Sequence, residues 1–265
     1  MMPLISLTTR EQELDNLVIV VSKLNRIPGG IFSSAEKRYL TQQIEERKQH
    51  LVTFNRIDYH VFVCFSDGKD IIARLEMCRK HGDSVAATLN SHKAKRVALF
   101  DTGSLPDDTL AVAEGIVLGS YRFLKYKSEQ EDQSTLEVVE IYSKKLEEES
   151  NDGECRKIVL LNSIHAAVFR CRDLINEPNS HLNATRFGEI VSEMGAECGA
   201  NVEVLGKGRI EALKMGGLLG VNQGSIEPPT FTIMEWKPGN ARNQKPVVLV
   251  GKGVMYDTGG MNLKP

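Results

Sequence analysis

The sequence predicts an α/β protein, in which strands buried within a sheet alternate with helices. The continuous apolar run 17–21, which is rich in β-branched residues, has the composition of a strand that is covered on both faces, and the apolar run 97–100 is also predicted to be a strand. Between them, Ser33-x-x-Glu36 forms a capping box at the start of a helical pattern over residues 33–49. Because this alternation continues along the chain, we expect α/β layers in both halves.

The other elements of the first part follow the same two periodicities. Strands are predicted at 51–54, 59–65 and 136–142, and helices at 71–80 and, beginning near Pro106, at 110–125. Gly82 is in the position of a helix stop, and Asp83 in the position of a cap for a further short helix. The second of these helices is apolar on nearly all sides up to Tyr121, so we expect it to be mostly buried.

A charged segment, residues 143–153, separates the two parts of the chain. It contains almost no apolar residues, which is typical of a solvated loop or linker. We therefore expect an N-terminal α/β domain over 1–155, with this linker at its end, and a second domain over 156–265. In the second part, strands are predicted at 158–161, 202–204, 231–236 and 246–250, and helices at 163–175, 185–198 and 211–215.

Composition excludes several classes of protein. The chain has 265 residues, 33 basic and 35 acidic, and its 41% hydrophobic content is enough for a buried core, which argues against disorder. No basic excess exists to hold a nucleic acid by charge, and no apolar run approaches the ~18–20 residues of a membrane span. The five cysteines include no C-x-x-C pair, and residues 1–10 lack the apolar stretch of a signal peptide. These observations predict a soluble cytoplasmic protein, with neither a nucleic acid nor a membrane as partner.

The residues with the clearest chemistry lie in the last segment. The predicted buried strand at 246–250 leads directly into Gly251-Lys252-Gly253, and Asp257 follows Lys252 by five positions. In α/β folds, ligands gather outside the carboxyl ends of the strands. A lysine and an aspartate in this position are therefore candidates for contact with a ligand.

Spacing alone leaves more than one kind of site to consider. In a phosphate-binding loop a Ser or Thr follows the lysine, but here Gly253 does. Gly251-x-Gly253 does not match a dinucleotide fingerprint either, because Tyr256 stands where the third glycine belongs. The remaining interpretation is a metal site, in which Asp257 offers carboxylate oxygens and Lys252 binds as a neutral amine.

The segment Gly251-Lys-Gly-Val-Met-Tyr-Asp-Thr-Gly-Gly-Met-Asn-Leu-Lys-Pro265 resembles the first metal-binding motif of the leucyl (cytosol) aminopeptidase family, which are dinuclear metallopeptidases. The sequences RDLINEP (172–178), TRF (185–187) and MGGLLGV (215–221) resemble upstream blocks of the same family. The similarity covers about 164–265, whereas the first 160 residues agree in architecture only. It implies an N-terminal α/β domain followed by the first part of an α/β aminopeptidase catalytic domain.

The resemblance also implies a mechanism and a set of site residues. Lys252 and Asp257 would bind two divalent ions, Zn²⁺ or Mn²⁺, with Asp257 shared between them. Lys264 would be catalytic, because its ammonium group would stabilise negative charge on the scissile carbonyl, and Met261 would line the substrate pocket. The implied reaction is removal of N-terminal amino acids, leucine in type, from peptides by a water that the two metals activate. A homo-hexamer is the implied assembly.

The chain departs from the family pattern in one respect. The family has a further aspartate ligand after this motif and later an Asp-x-Glu-Gly-Arg segment, neither of which occurs here. Since an ion needs about four donors or more, we expect a chain truncated within the catalytic domain and inactive alone. The alternative is a non-catalytic truncated form that acts as an assembly or ligand-binding α/β module. The six histidines show no paired ligand spacing, so we expect them to be surface or core residues.

Overall fold

The computed structural model describes residues 2–8, 16–68, 70–102, 106–128, 133–150 and 155–253. The chain divides into two compact units, Met1–Asp173 and Leu174–Pro265. Helices and a mostly parallel sheet make up the first unit, so the predicted α/β class is confirmed. Across the described residues, no helix combines the length and the hydropathy that crossing a bilayer requires.

The first unit is built on a six-stranded sheet with the strand order β1-β6-β5-β2-β4-β3. Its strands are β1 (Leu4–Leu7), β2 (Asn16–Val21), β3 (Leu51–Asn55), β4 (His60–Phe65), β5 (Arg96–Asp101) and β6 (Val138–Tyr142). Its helices are α1 (Ser34–Thr41), α2 (Ile71–Ser91), α3 (Pro106–Gly119), α4 (Lys144–Glu148) and most of α5 (Arg156–Asn176). All neighbouring strands are parallel except β3 and β4. Four strands therefore direct their carboxyl ends to the same edge as β2.

The centre of this sheet explains why its strands could be predicted from sequence. β2 lies between β4 and β5, with Ile19 paired to Val63 on one side and to Phe100 on the other. Val18 and Ile19 point to opposite faces, and neither is exposed to solvent, because helices or loops cover both faces. An uninterrupted apolar run is the pattern that such a strand requires.

Gly82 does not end a helix, so this prediction is wrong. The helix α2 continues through Gly82 from Ile71 to Ser91. A methyl group on Gly82 would lie 2.8 Å from the backbone nitrogen of Ile116 and would collide with the carbonyl oxygen of Val112 in α3. Glycine is needed here for the close approach of two helices, a reason that the sequence of one helix alone does not reveal. The predicted burial of α3 is confirmed, although the helix ends at Gly119.

Two predictions around the charged segment are also wrong. The segment includes the short helix α4, whose cap is Ser143 and whose Leu146 is fully buried. The apolar run 158–161 is not a strand, because it lies in the first turns of α5. In α5 the buried residues are Ile158 and His165, seven positions apart, which is a helical spacing. A run of four apolar residues cannot distinguish a strand from a helical turn.

The second unit contains a two-stranded antiparallel sheet with a helix against it. Its elements are α6 (Ala184–Cys198), β7 (Asn201–Leu205), α7 (Lys207–Ala212), α8 (Gly216–Asn222) and β8 (Phe231–Glu235). A methyl group on Gly188 would lie 2.8 Å from Cγ1 of Val204, and one on Gly195 would collide with Val202. These glycines let α6 lie directly on β7, and the predicted helix at 185–198 is confirmed.

Candidate active site

The segment that leads to Lys252 is not a buried strand, so this prediction is wrong. Val247, Val248, Leu249 and Val250 are 81%, 73%, 92% and 93% exposed. A strand is stable only when neighbouring strands satisfy its backbone groups, and within the described residues β7 and β8 pair only with each other. Among the described residues, the apolar segment 246–250 therefore pairs with no sheet.

Lys252 lies between two exposed glycines at the end of this segment, and its side chain is exposed. The surroundings of the two glycines differ. A methyl group on Gly251 would meet no heavy atom within 4 Å, whereas one on Gly253 would lie 3.4 Å from Cε1 and 3.7 Å from Cδ1 of Phe187. The ring of Phe187 in α6 therefore lies next to Gly253, the residue immediately after Lys252.

The other predicted site residues, Asp257, Met261 and Lys264, lie outside the described residues. The structure therefore places only Lys252 of the predicted set. The described residues also include no group of three or more His, Cys, Asp and Glu side chains that could hold a metal ion. Because one lysine amine is far short of the four or more donors that an ion requires, the described residues do not complete a metal site.

The first unit brings together histidines whose partners sequence spacing did not reveal. The ring centroids of His60 and His92 are 4.3 Å apart, and those of His50 and His81 are 6.4 Å apart. Burial, and next the neighbouring His50, lowers the pKa of His81 to about 4, and burial followed by His92 lowers that of His60. His81 is therefore neutral at pH 7. The partners of these histidines could be found only from the tertiary fold.

A buried polar network lies at the carboxyl end of β4. Asp108 in the first turn of α3 is fully buried, accepts a hydrogen bond from the hydroxyl of Ser66, and pairs with Nε of Arg74 at 3.3 Å. Cys78 lies next to this network, and burial raises the pKa of its thiol to about 11. Since the carboxylate is already satisfied and the thiol stays protonated, we interpret this network as structural.

Two family models match the chain. The model of the cytosol aminopeptidase family, catalytic domain, matches residues 169–265, and the model of its N-terminal domain matches residues 68–130. Together the two ranges cover more than half of the sequence. The chain belongs to the cytosol aminopeptidase family. The catalytic-domain match includes Lys252, Asp257, Met261 and Lys264.

Curated relatives in the cytosol aminopeptidase family are considerably longer than this chain. A probable cytosol aminopeptidase of Chloroherpeton thalassium is 36% identical in an alignment 217 residues long, which covers 72% of this chain and 41% of that protein. The cytosol aminopeptidase of Rickettsia prowazekii is 38% identical over 182 residues, which are 68% of this chain and 34% of that protein. The chain thus spans less than half the length of these two relatives.

Solved structures with the same fold include members that are named leucyl aminopeptidases. The Leishmania major leucyl aminopeptidase in complex with actinonin superposes with a TM-score of 0.72 at 18% identity, covering 100% of this chain and 53% of that one. The bottromycin maturation enzyme BotP in complex with Mn superposes with a TM-score of 0.61 at 21% identity, covering 85% of this chain and 46% of that one. At these identities the superpositions establish the fold.

Proposed function

We propose that the chain contributes part of the active site of a metal-dependent aminopeptidase that removes N-terminal amino acids, leucine in type, from peptides. The observation that carries this proposal is the catalytic-domain match over residues 169–265, because that range includes the whole Gly251–Pro265 motif. The division into an N-terminal domain over 1–155 and the first part of a catalytic domain over 156–265 is part of the same proposal.

Each residue of the motif has a separate role in this proposal. Lys252 donates its neutral amine, and Asp257 its carboxylate, to the metal centre. Two divalent ions, Zn²⁺ or Mn²⁺, would supply Lewis-acid polarisation and water activation when bound. Lys264 places an ammonium group beside the scissile carbonyl, where it stabilises the negative charge that develops on the oxygen. Met261 contributes an apolar wall for the substrate side chain.

The 265-residue chain alone is proposed to be inactive. Its motif offers Lys252 and Asp257 as ligands, and the sequence contains no Asp-x-Glu-Gly-Arg segment that could supply further carboxylates. Two side chains cannot hold two ions that each need four or more donors. Activity therefore requires ligands from additional sequence.

A chimera tests both the proposed aminopeptidase activity and the proposed inactivity of the 265-residue chain alone. Residues 1–265 are fused to the part of the Chloroherpeton thalassium relative that follows its matched region. We expect the chimera to hydrolyse leucine p-nitroanilide with added Mn²⁺, and the 265-residue chain not to do so. A folded but inactive chimera would contradict the proposed activity, whereas turnover by the chain alone would contradict the incomplete site.

Substitutions in the chimera distinguish the proposed roles of the two lysines of the motif. Lys252→Ala should lower the number of bound metal ions per chain, whereas Lys264→Ala should leave metal binding intact and lower kcat by about 10²-fold or more. Lys245→Ala is the matched control, because it removes another exposed lysine a few residues before the motif. Lys245→Ala should change neither the number of bound metal ions nor kcat.

The alternative is a non-catalytic module that assembles or binds a ligand through the α/β domain. Metal stoichiometry distinguishes the two, since the chimera of a dinuclear enzyme should bind about two ions per chain and a module none. A homo-hexamer and a cytoplasmic location complete the proposal, and similarity to the cytosol aminopeptidase family supports both. Sedimentation of the chimera measures the first, and microscopy of a tagged chain the second.

A further inference from the structure

Phe187 of α6 lies next to Gly253, in the backbone that presents Lys252. A methyl group built on Gly253 would have the Phe187 ring as its neighbour, with Cε1 at 3.4 Å and Cδ1 at 3.7 Å. Among the described residues, no other heavy atom beyond the adjacent residues lies within 4 Å of that position. A methyl group there would therefore be in van der Waals contact with the ring, which lies on the side of Gly253 to which a Cβ would point.

Phe187 itself is held on a fixed element. The Asn183 side chain caps α6 by accepting a hydrogen bond from the backbone nitrogen of Arg186 at 2.9 Å, and Thr230 Oγ1 donates to the carbonyl of Ala184 at 2.9 Å. The neighbouring Gly188 lies against Val204 of β7. The N-terminal part of α6 is therefore held by hydrogen bonds at its cap and to the segment before β8, and by close packing against β7.

We propose that Phe187 is a positioning residue, which packs on Gly253 and thereby fixes the direction in which the backbone presents Lys252. The role rests on the proposed function, because it matters only if Lys252 binds metal. A lysine side chain has four rotatable bonds, so a fixed main chain on its carboxyl side reduces the conformations among which the amine must be selected. No sequence motif assigns this role to Phe187.

Limited trypsin digestion of the 265-residue chain tests the contact without metal. Trypsin cleaves after lysine and arginine, so cleavage between Lys252 and Gly253 reports local opening of this backbone. Cleavage between Arg209 and Ile210 is the internal reference for unfolding of the second unit, since Ile210 is fully buried in α7. We expect Phe187→Ala to raise cleavage at Lys252 about fivefold or more relative to Arg209.

Two further variants show whether the ring itself is responsible. Phe187→Tyr keeps the ring and should digest like the wild type. Ile190→Ala truncates another partly buried side chain of α6 and should leave the ratio of the two cleavages unchanged. The proposal is overturned if Phe187→Ala digests at Lys252 like the wild type, or if Ile190→Ala opens that site equally.

A double substitution keeps the test decisive even if Phe187→Ala unfolds the second unit and opens both cleavage sites. Gly253→Val overfills the contact, so it should raise cleavage at Lys252 while Arg209 stays protected. Phe187→Ala with Gly253→Val replaces the lost ring by a smaller group from the other side, so cleavage at Lys252 should be lower than the product of the two single effects predicts. Independent, multiplicative effects of the two substitutions would overturn the proposal.

Kinetics of the active chimera distinguish a positioning role of Phe187 from a purely structural one. Phe187→Ala should lower kcat more than tenfold with little change in KM, and Phe187→Tyr should restore kcat. If the chimera has no activity, the proposed function fails, and the digestion result still decides whether Phe187 orders the Lys252 backbone. If the chimera is active and Phe187→Ala keeps full kcat, positioning by Phe187 is overturned and the proposed function stands.

Discussion

Gly82 of α2 and Gly115 of α3 face each other where the two helices cross. A methyl group on Gly82 would lie 2.9 Å from Cα of Gly115, and one on Gly115 would lie 2.9 Å from Cα of Arg79. Both positions would also meet a backbone carbonyl of the other helix. Since backbone atoms cannot yield as a flexible side chain can, each glycine is required by the crossing itself.

Gly82→Ala should therefore lower the free energy of unfolding by about 1–3 kcal/mol, the usual cost of overpacking, although alanine is the better helix former. Gly115→Ala should have an effect of similar size. Gly29→Ala is the control in the same unit, because a methyl group there would meet no atom within 4 Å. Urea denaturation followed by circular dichroism measures the change. A variant Gly82→Ala more stable than the wild type would contradict the close crossing.

The ion pair between Arg74 and Asp108 should contribute much more than exposed pairs do. Asp108 is fully buried, so Arg74→Met would leave a buried carboxylate without its cation and should cost about 3 kcal/mol or more. Arg96→Met removes the partner of Glu140 from a position where the arginine side chain is 43% exposed, and should cost no more than about 1 kcal/mol. Equal losses in urea denaturation would show that burial does not distinguish the pairs.

The depressed pKa of His81 predicts a loss of stability in mild acid. Because burial and His50 lower this pKa from 6.5 to about 4, the unfolded chain binds a proton below pH 6.5 that the folded chain does not. Stability should therefore fall between pH 6.5 and about 4. His81→Leu should reduce this slope by at most about 1.4 kcal/mol per pH unit. At pH 8 His81 is neutral in the folded and in the unfolded chain, so the difference between variant and wild type there measures every effect of the substitution except protonation. An unchanged slope in acid would contradict the prediction.

His165 should be replaceable by an apolar residue with a gain in stability. It is fully buried in α5, and neither ring nitrogen has a hydrogen-bond partner in the described residues. An unsatisfied buried polar group costs about 1–3 kcal/mol, so His165→Leu should raise the free energy of unfolding at pH 7 by about 1 kcal/mol. Burial also lowers the pKa of this histidine, so the gain should increase as the pH falls from 7 to 5. His165→Asn, which keeps a buried polar group, should show no such gain.

The sequence predicts those elements whose pattern reflects their own surroundings. The strand β2 is apolar throughout because both of its faces are covered, and α1 begins at a capping box that the structure contains. The role of Gly82 does not follow from the sequence of α2, because it depends on α3. The structure of 158–161 does not follow either, because a short apolar run fits a strand and a helical turn equally well. For Gly82 the deciding contact comes from another part of the chain.

The candidate site shows the same limit. Lys252 could be proposed as a site residue from its motif, because the order of residue types within a short segment carries the resemblance. Phe187 could not, since it lies on α6, far from Gly253 in sequence, and its role depends on a contact that only the fold creates. The strand expected at 246–250 has the composition of a buried strand, but composition does not supply the neighbouring strands that it needs.

The exposed segment 247–250 should make the 265-residue chain prone to self-association. Four consecutive β-prone apolar residues that are each at least 73% exposed offer a template for pairing between chains. Val248→Lys should therefore reduce light scattering at high protein concentration while leaving the thermal unfolding of the chain unchanged. Gln244→Lys adds the same charge at an exposed polar position and controls for net charge. If both variants reduce scattering equally, charge repulsion and not the apolar segment governs association.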